Sequence, residues 1–295
     1  MCRARARRPS SKAIREKLCW ENLKKRLTFD IEFNARETTV RRLLKRIANA
    51  LFPRTVHRRQ IRILTDKEVE IGQLSKLVDP SKASIDIGAN RGLYVHHLLK
   101  LTSKVIAFEP LPSMQQQLEK HYDGLIELHR VALSDHAGSA VIRMPSDNPS
   151  WATLASSNKL EMADADKGFV EHKVPLMRLD DFSFDQVGFI KIDVEGYEES
   201  VLRGAAATLR RERPTLLIEI EERHNKGSVM RIAQWLIELN YRVYFIDANR
   251  PVPFSQFNAA RDQDIQNVGL TGKVGRYINN FIFVPNEKAS AFENA

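Results

Sequence analysis

Residues 83–110 read ASIDIGANRGLYVHHLLKLTSKVIAFEP, and the punctuation of this stretch decides the architecture. A short apolar run, ASIDI, is followed by Gly88 and Gly92, then by the helix-like segment RGLYVHHLLKL, then by a second apolar run, KVIAFE, stopped by Pro110. Short apolar runs separated by a helix-length segment are strands joined by a helical crossover, the repeating unit of a parallel sheet.

The same alternation continues outward. KEVEIGQLSKLVD before it reads as a helix, and after it come PSMQQQLEKHY (helix) and LIELHRVAL (strand). A long polar passage, residues 134–186, holds two further strand candidates, SAVIRM and HKVPLMRL. Order resumes with VGFIKIDV (strand), EESVLRGAAATLRR (helix), PTLLIEIEE (strand), SVMRIAQWLIELN (helix), YRVYFID (strand) and a last apolar run, INNFIFVP. Right-handed crossovers place helices on both faces of such a sheet. Ligands then bind at the carboxyl ends of its strands, where strand order reverses.

Composition excludes several classes. The chain has 295 residues, 43% apolar and 28% charged, with 13 Gly and 12 Pro, an ordinary globular profile that is neither collagenous nor wholly disordered. Both cysteines, Cys2 and Cys19, lie near the start, so neither a disulfide framework nor a zinc site is encoded, and a reducing, cytoplasmic setting is expected. The opening MCRARARRPSSK lacks the apolar core that would follow in a signal peptide.

Charge is uneven. Residues 1–62 hold 19 Lys/Arg against 5 Asp/Glu, whereas the rest of the chain holds 27 against 32. We therefore divide the chain into a basic, partly helical or disordered extension, residues 1–65, and a body, residues 66–295. Within the extension, Val40, Leu43, Leu44, Ile47 and Leu51 fall at helical spacing with arginines opposite, and Pro53 closes the run. Such a helix docks on the body by its apolar face, or lies on an anionic surface and makes the protein peripheral to a membrane.

The loop after the first strand has the spacing G-x-N-x-G, not the dinucleotide pattern G-x-G-x-x-G. Asp86, two residues before Gly88, would repel a pyrophosphate and attract a ligand bearing a cation. Glu109, at the end of the second strand, stands where an acid accepts hydrogen bonds from ribose hydroxyls in nucleotide-binding folds. One acid for a cation and one for a ribose fit S-adenosylmethionine.

DIGANRG, AFEP, VALSD, the block FIKIDVEGYEESVLRGA and then LLIEI resemble, in order and spacing, the FkbM family of methyltransferases. The resemblance runs from about residue 83 to about residue 221, with an echo in NNFIFVP. It implies an α/β, class I (Rossmann-like) methyltransferase fold: a seven-stranded, mostly parallel sheet with helices on both faces and an antiparallel last strand. It implies S-adenosylmethionine as donor and a hydroxyl acceptor on a sugar or glycan, a glycolipid or a polyketide-like metabolite. Carried onto this chain, it implies that Asp86, Gly88, Ala89, Asn90 and Gly92 form the methionine-side loop and that Glu109 holds the ribose. Ser134 and Asp135 then lie near the adenine, and Tyr94 lines the methionine pocket or belongs to the core.

Lys191, Asp193 and Glu195 alternate along the fourth strand and its exit. Three readings of Asp193 stand open: a base for the acceptor hydroxyl, a ligand of a divalent metal with Glu219 and Glu221, or a structural ion pair with Lys191. The metal is compatible with the sequence but not required by it. Glu195 belongs to the same exit, and His224, after IEIEER, is a second candidate base. DVEG stands where many amino-group methyltransferases carry a DPPY-type tetrapeptide, which points toward oxygen. Trp151, in the long polar passage, is expected either to contact an acceptor sugar or to anchor a hairpin. A rival reading makes the basic extension the footprint of a nucleic-acid methyltransferase or binder, although no zinc motif or aromatic RNA-binding pattern accompanies it.

Overall fold

The computed structural model describes residues 51–146, 151–155, 168–269 and 272–294. The chain divides between Arg58 and Arg59 into two compact units. The apolar-periodic helix expected over residues 40–51 lies almost wholly outside the described residues. Pro53 does more than close it: a helix, α1 (Pro53–Thr65), begins there, where the fixed φ of proline suits the first helical position.

In the second unit the central strands are β1 (Ala83–Ile87), β2 (Val105–Phe108) and β3 (Glu127–His129). A small group follows, β4 (Ala132–Leu133), β5 (Gly138–Pro145) and β6 (Phe169–Met177). The remaining strands are β7 (Val187–Ile192), β8 (Thr215–Glu219), β9 (Tyr241–Asp247), β10 (Arg250–Pro253), the two-residue pair β11 (Val268–Gly269) and β12 (Gly272–Lys273), and β13 (Asn280–Pro285). The main sheet runs β10-β9-β13-β8-β7-β1-β2-β3. β1 pairs in parallel with both β2 and β7, and β7 with β8, whereas β13 is antiparallel to both its neighbours. This is the expected mostly parallel sheet with an inserted antiparallel strand. The eighth strand, β10, is added at the edge beyond β9.

Strand order reverses between β1 and β7, so the crevice at their carboxyl ends is the place for a ligand. The helices are α2 (Leu74–Leu77), α3 (Leu93–Leu98), α4 (Pro112–Tyr122), α5 (Glu198–Arg203), α6 (Ala206–Glu212), α7 (Ser228–Glu238), α8 (Ala259–Asp262) and α9 (Asn286–Glu293). Alternation along each strand sorts the core into two layers. Ile106, Phe108, Leu216 and Ile218 pack with Val201, Leu209 and Ile232 of α5, α6 and α7. Val105, Ala107 and Leu217 face the other way, toward Val95, Leu118 and Phe292 of α3, α4 and α9. Helices therefore cover both faces.

Three expectations of detail are corrected. EESVLRGAAATLRR is not one helix but two, because Gly204 presses on the Ser134 carbonyl, where a Cβ would collide, and the chain bends there. KEVEIGQLSKLVD is a 3-10 turn, Val69–Gln73, leading into the short α2. LIELHRVAL splits between two sheets, since β3 pairs with β2 and β4 with β6. The three-stranded sheet β4-β6-β5 contains both strands read from the long polar passage. It buries Ile142, Met144, Val174 and Leu176 against Leu111 and Met114 at the start of α4.

Candidate active site

A cleft with about 650 Å³ of empty space, partly open to solvent, lies at the carboxyl ends of β1, β2 and β7. Its floor comes from Gly88 and Asn90 after β1, from Glu109 after β2, and from Asp193, Glu195 and Tyr197 after β7. Leu111, Met114, Ile142, Ala152 and Leu154 supply an apolar wall.

Two backbones meet beneath this floor. The Asp193 N–H donates to the Ile87 carbonyl at 3.0 Å. Gly88, at φ +80°, leaves no room for a Cβ, which would strike the Asp193 carbonyl oxygen. Only glycine tolerates both the φ and the approach. The exits of β1 and β7 are thus held together, and Asn90 and Asp193 open on one cleft.

Glu109 is buried, and its carboxylate fixes the loop. Oε2 accepts from the Asn90 N–H and Oε1 from the Leu111 N–H, each at 2.8 Å. Burial pushes the carboxyl up to about 7, with those two amides opposing. Asn90 itself sits at φ +48°, and its Oδ1 is buried without a hydrogen-bond partner.

Several expected residues stand back from the cleft. Asp86 Oδ2 accepts from the Val95 N–H at 3.2 Å, so its carboxylate serves the first turn of α3. Burial pushes it up to about 7, against the pull of Lys191, its cross-strand neighbour. Ala89 donates its N–H to the Phe108 carbonyl, and Gly92 packs on the Tyr122 ring at the start of α3. Tyr94 is buried with its hydroxyl unpartnered, and the Lys191 ammonium lies 5.0 Å over its ring. Ser134 reaches the cleft indirectly, through a 3.1 Å contact of its Oγ with the Tyr197 hydroxyl. Asp135 is exposed and pairs with His136. Trp151 is half-buried, beside the lining residues Ala152 and Leu154.

After β7 the side chains diverge. Lys191 is fully buried; its Nζ donates to the Ile192 carbonyl at 3.2 Å and to Asn280 Oδ1 at 3.4 Å. Asp193 Oδ2 lies 4.0 Å from that ammonium, with the Asp193 side chain 36% exposed. Burial raises the Asp193 carboxyl and Lys191 opposes the rise. Glu195 occupies a left-handed conformation at φ +53°, followed by Gly196 at φ +99°. This sharp turn is held by Glu198 Oε1, which accepts the Gly196 N–H, and by Thr153 Oγ1, which donates to the Glu195 carbonyl at 2.7 Å. Thr153 and Arg143 also exchange both backbone hydrogen bonds, so the small sheet is tied to this turn.

His224 Nε2 lies 3.3 Å from Glu195 Oε2. Burial pulls the imidazole down to about 4, and Glu195 is raised well above the usual carboxylate range. Ligand atoms of Glu195, Glu221 and His224 lie within 4.8 Å of one another. This is not the oxygen set expected from sequence, because Glu219 and Asp193 are not in it. Glu221 is moreover engaged by the Arg223 guanidinium and by the Tyr277 hydroxyl, which overcome burial and hold it at about 2. A divalent ion there would sit against a guanidinium. The donor set fits an organic ion-pair network better than a metal.

Tyr197, Thr153 and the apolar wall were not singled out by sequence reasoning. Tyr197 belongs to the quoted block GYEES, but nothing local says that its hydroxyl meets Ser134. The wall residues come from segments far apart in the chain, and only the tertiary fold gathers them.

Comparison with known proteins adds an independent line. Residues 86–243 match the family model described as Methyltransferase FkbM domain. Methyltransferase 1 of Beauveria bassiana (strain ARSEF 2860) is 28% identical over 141 residues, 41% of this chain and 57% of that protein. The chain thus spans little more than half the length of that relative. Among solved structures, Methyltransferase FkbM from Methylobacillus flagellatus KT is 17% identical, with 76% of this chain and 50% of that chain covered and a TM-score of 0.46. SMU.1697c of Streptococcus mutans, solved in complex with SAH, is 10% identical, with 73% and 94% covered and a TM-score of 0.39.

Proposed function

The chain belongs to the FkbM methyltransferase family, and on that premise we propose that it is an S-adenosylmethionine-dependent O-methyltransferase acting on a hydroxyl of a sugar or glycan, a glycolipid or a polyketide-like metabolite. The observation that carries this reading is the convergence of Asn90, Glu109 and Asp193 on one cleft at the strand-order reversal.

The residues of the cleft fit the cofactor. Each Glu109 oxygen uses one lone pair on a backbone amide and keeps acceptor capacity for a ribose hydroxyl. Asn90 Oδ1 is an orphaned acceptor on the same floor, and an unmade buried hydrogen bond costs about 1–3 kcal/mol. The Gly88 turn lets a ligand approach the backbone closely. Leu111, Met114 and Ile142 offer an apolar slot for an adenine, with the Ser134–Tyr197 pair beside it. Asp86 supports this loop from behind.

When bound, S-adenosylmethionine supplies an electrophilic methyl group. The chain's task is then to position the acceptor oxygen and take its proton. Positioning alone accounts for roughly 7–11 kcal/mol in favourable cases. Asp193 is the residue we assign as base: it lines the cleft, it is partly exposed, and the Lys191 ammonium favours its anionic form. His224 is neutral at physiological pH but is committed to Glu195, so the pair shapes the floor behind Asp193.

The reading is tested by incubating the full chain with tritiated S-adenosylmethionine and extracts of glycans, glycolipids and metabolites. Label that survives mild base in an organic product supports an ether-forming O-methyltransferase; label on nitrogen or on nucleic acid would contradict it. We place the protein in the cytoplasm, with its basic extension toward an anionic surface. No helix among the described residues is long and apolar enough to cross a membrane.

A further inference from the structure

Adjoining Asp193, on the sheet face that carries Lys191, is a set of polar side chains that the cofactor cleft does not use. Glu68 caps and Glu70 lies in the 3-10 turn before α2, Tyr94 comes from α3, Glu219 from the end of β8, and Asn279 is the residue before β13. Glu70, Tyr94 and Asn279 are at most 7% exposed. Even so, Glu70 Oε2, the Tyr94 hydroxyl and Asn279 Oδ1 have no hydrogen-bond partner. Buried polar atoms are almost always paired, so three in one neighbourhood call for a ligand or ordered water.

The neighbourhood is continuous with the proposed base. The Tyr94 hydroxyl lies in the field of Glu68, Glu70, Glu219 and Asp193. Asn279 Nδ2 donates to Glu219 Oε1 at 2.6 Å, and Asn280 Nδ2 donates to Glu68 Oε2 at 3.2 Å. Asn280 accepts in turn from Lys191, which faces Asp193.

The chemistry of the unpartnered atoms is one-sided. A carboxylate oxygen and an amide oxygen only accept, and a phenol adapts to either role. Burial raises the carboxyls of Glu68, Glu219 and Asp193, and the ammonium groups of Lys191 and, toward Glu68, Lys273 oppose the rise. The same burial that disfavours the charged forms of these acids would disfavour a phosphate, sulfate or carboxylate brought among them. A group with several O–H or N–H donors would complete the orphaned acceptors.

We propose that Glu70, Tyr94 and Asn279 form an acceptor subsite beside Asp193 that takes a donor-rich group free of negative charge, restricting the enzyme to neutral or cationic acceptors. The inference rests on the methyltransferase reading and narrows it. It also opposes a nucleic-acid substrate, whose phosphates would be costly to bury there.

The test passes the tritiated products through an anion exchanger. Label in unretained material is expected. Label only in retained, anionic material, nucleic acid included, overturns the inference and leaves the methyltransferase reading standing; no label in any fraction overturns both. With the labelled unretained fraction as acceptor, Glu70→Gln and Asn279→Ala should each raise the acceptor KM by about tenfold or more, with cofactor affinity by calorimetry unchanged. Glu70→Gln keeps the shape of a side chain whose Oε2 makes no hydrogen bond and should not lower the thermal midpoint. A KM unchanged in both variants overturns the subsite, as does a KM change that appears only with loss of the fold.

Discussion

Lys191 Nζ stands 4.0 Å from Asp193 Oδ2, the ammonium wholly buried and the carboxylate about one-third exposed. The two groups differ in what they can reach: only Asp193 lines the cleft, and Lys191 acts from behind it. Burial pulls the ammonium down, but Asp193, Glu219, Glu68 and Asp86 together hold it in its charged form. Burial raises the Asp193 carboxyl, and the nearby ammonium limits that rise and favours the anionic form of the base.

Asp193→Asn removes the proton acceptor and retains the shape. Turnover should fall by roughly 10²–10⁴-fold, the range for a lost general base. Cofactor affinity by calorimetry should stay close to that of the parent, and because Glu219, Glu68 and Asp86 still face Lys191 the thermal midpoint should fall less than in Lys191→Met. Loss of folding or cofactor binding along with activity would instead make Asp193 structural.

Lys191→Met leaves four buried or half-buried acids without their central cation. Breaking a buried pair by removing one partner costs about 3–5 kcal/mol, so a clear drop in denaturant midpoint is expected. Lys191 lowers the Asp193 pKa. Its removal should therefore move the acidic limb of the pH–kcat profile to higher pH in whatever protein still folds, and an unmoved limb would separate Lys191 from catalysis.

Stability should fall as pH rises through neutrality. Glu68, Asp86, Glu109 and Glu198 are each pushed up to about 7, chiefly by burial. A carboxyl whose folded pKa exceeds its unfolded value holds more protons in the native state, so stability is lost as pH climbs from the unfolded value to the folded one. His97 and His224, pulled down to about 4 by burial, work the other way below their unfolded pKa, but they are fewer. The cofactor-free protein should therefore melt at a higher temperature at about pH 5.5 than at about pH 8. A midpoint that rises over this interval would contradict the burial of these acids.

Gly204→Ala tests the bend between α5 and α6. A Cβ there would strike the Ser134 carbonyl. Overpacking typically costs about 1–3 kcal/mol, and here it would also push Ser134 away from Tyr197. Reduced stability together with weaker cofactor binding is expected, whereas a silent substitution would show that the bend is not needed.

Much of this was legible in the sequence because it is local. ASIDI, VIAF and VGFIKI announce strands by apolar runs, and Gly88 marks the turn after the first. Glu109 and Asp193 were locatable because strand ends carry the chemistry in this kind of sheet. Asp86 was harder to read: its type and position suit a ligand contact, yet Val95 in α3 takes its carboxylate, a pairing set by how the helix packs. β10 was hidden by its composition, RPVP, since two prolines argue against a strand except at an edge, which is where it lies. The Glu195–His224 contact and the orphaned atoms of Glu70 and Asn279 join residues distant in the chain, and no periodicity or spacing announces such meetings.

The central claim is that Glu109, anchored by the amides of Asn90 and Leu111, holds the ribose of S-adenosylmethionine in the cleft between β1 and β7. Titration calorimetry of the full chain with S-adenosylmethionine, in parallel with Glu109→Ala, tests it most directly. Saturable heat from one site per chain, abolished or weakened by at least about tenfold in the variant, is the predicted result. A well-folded parent that gives no heat, or a Glu109→Ala protein that binds as tightly as the parent, would contradict it.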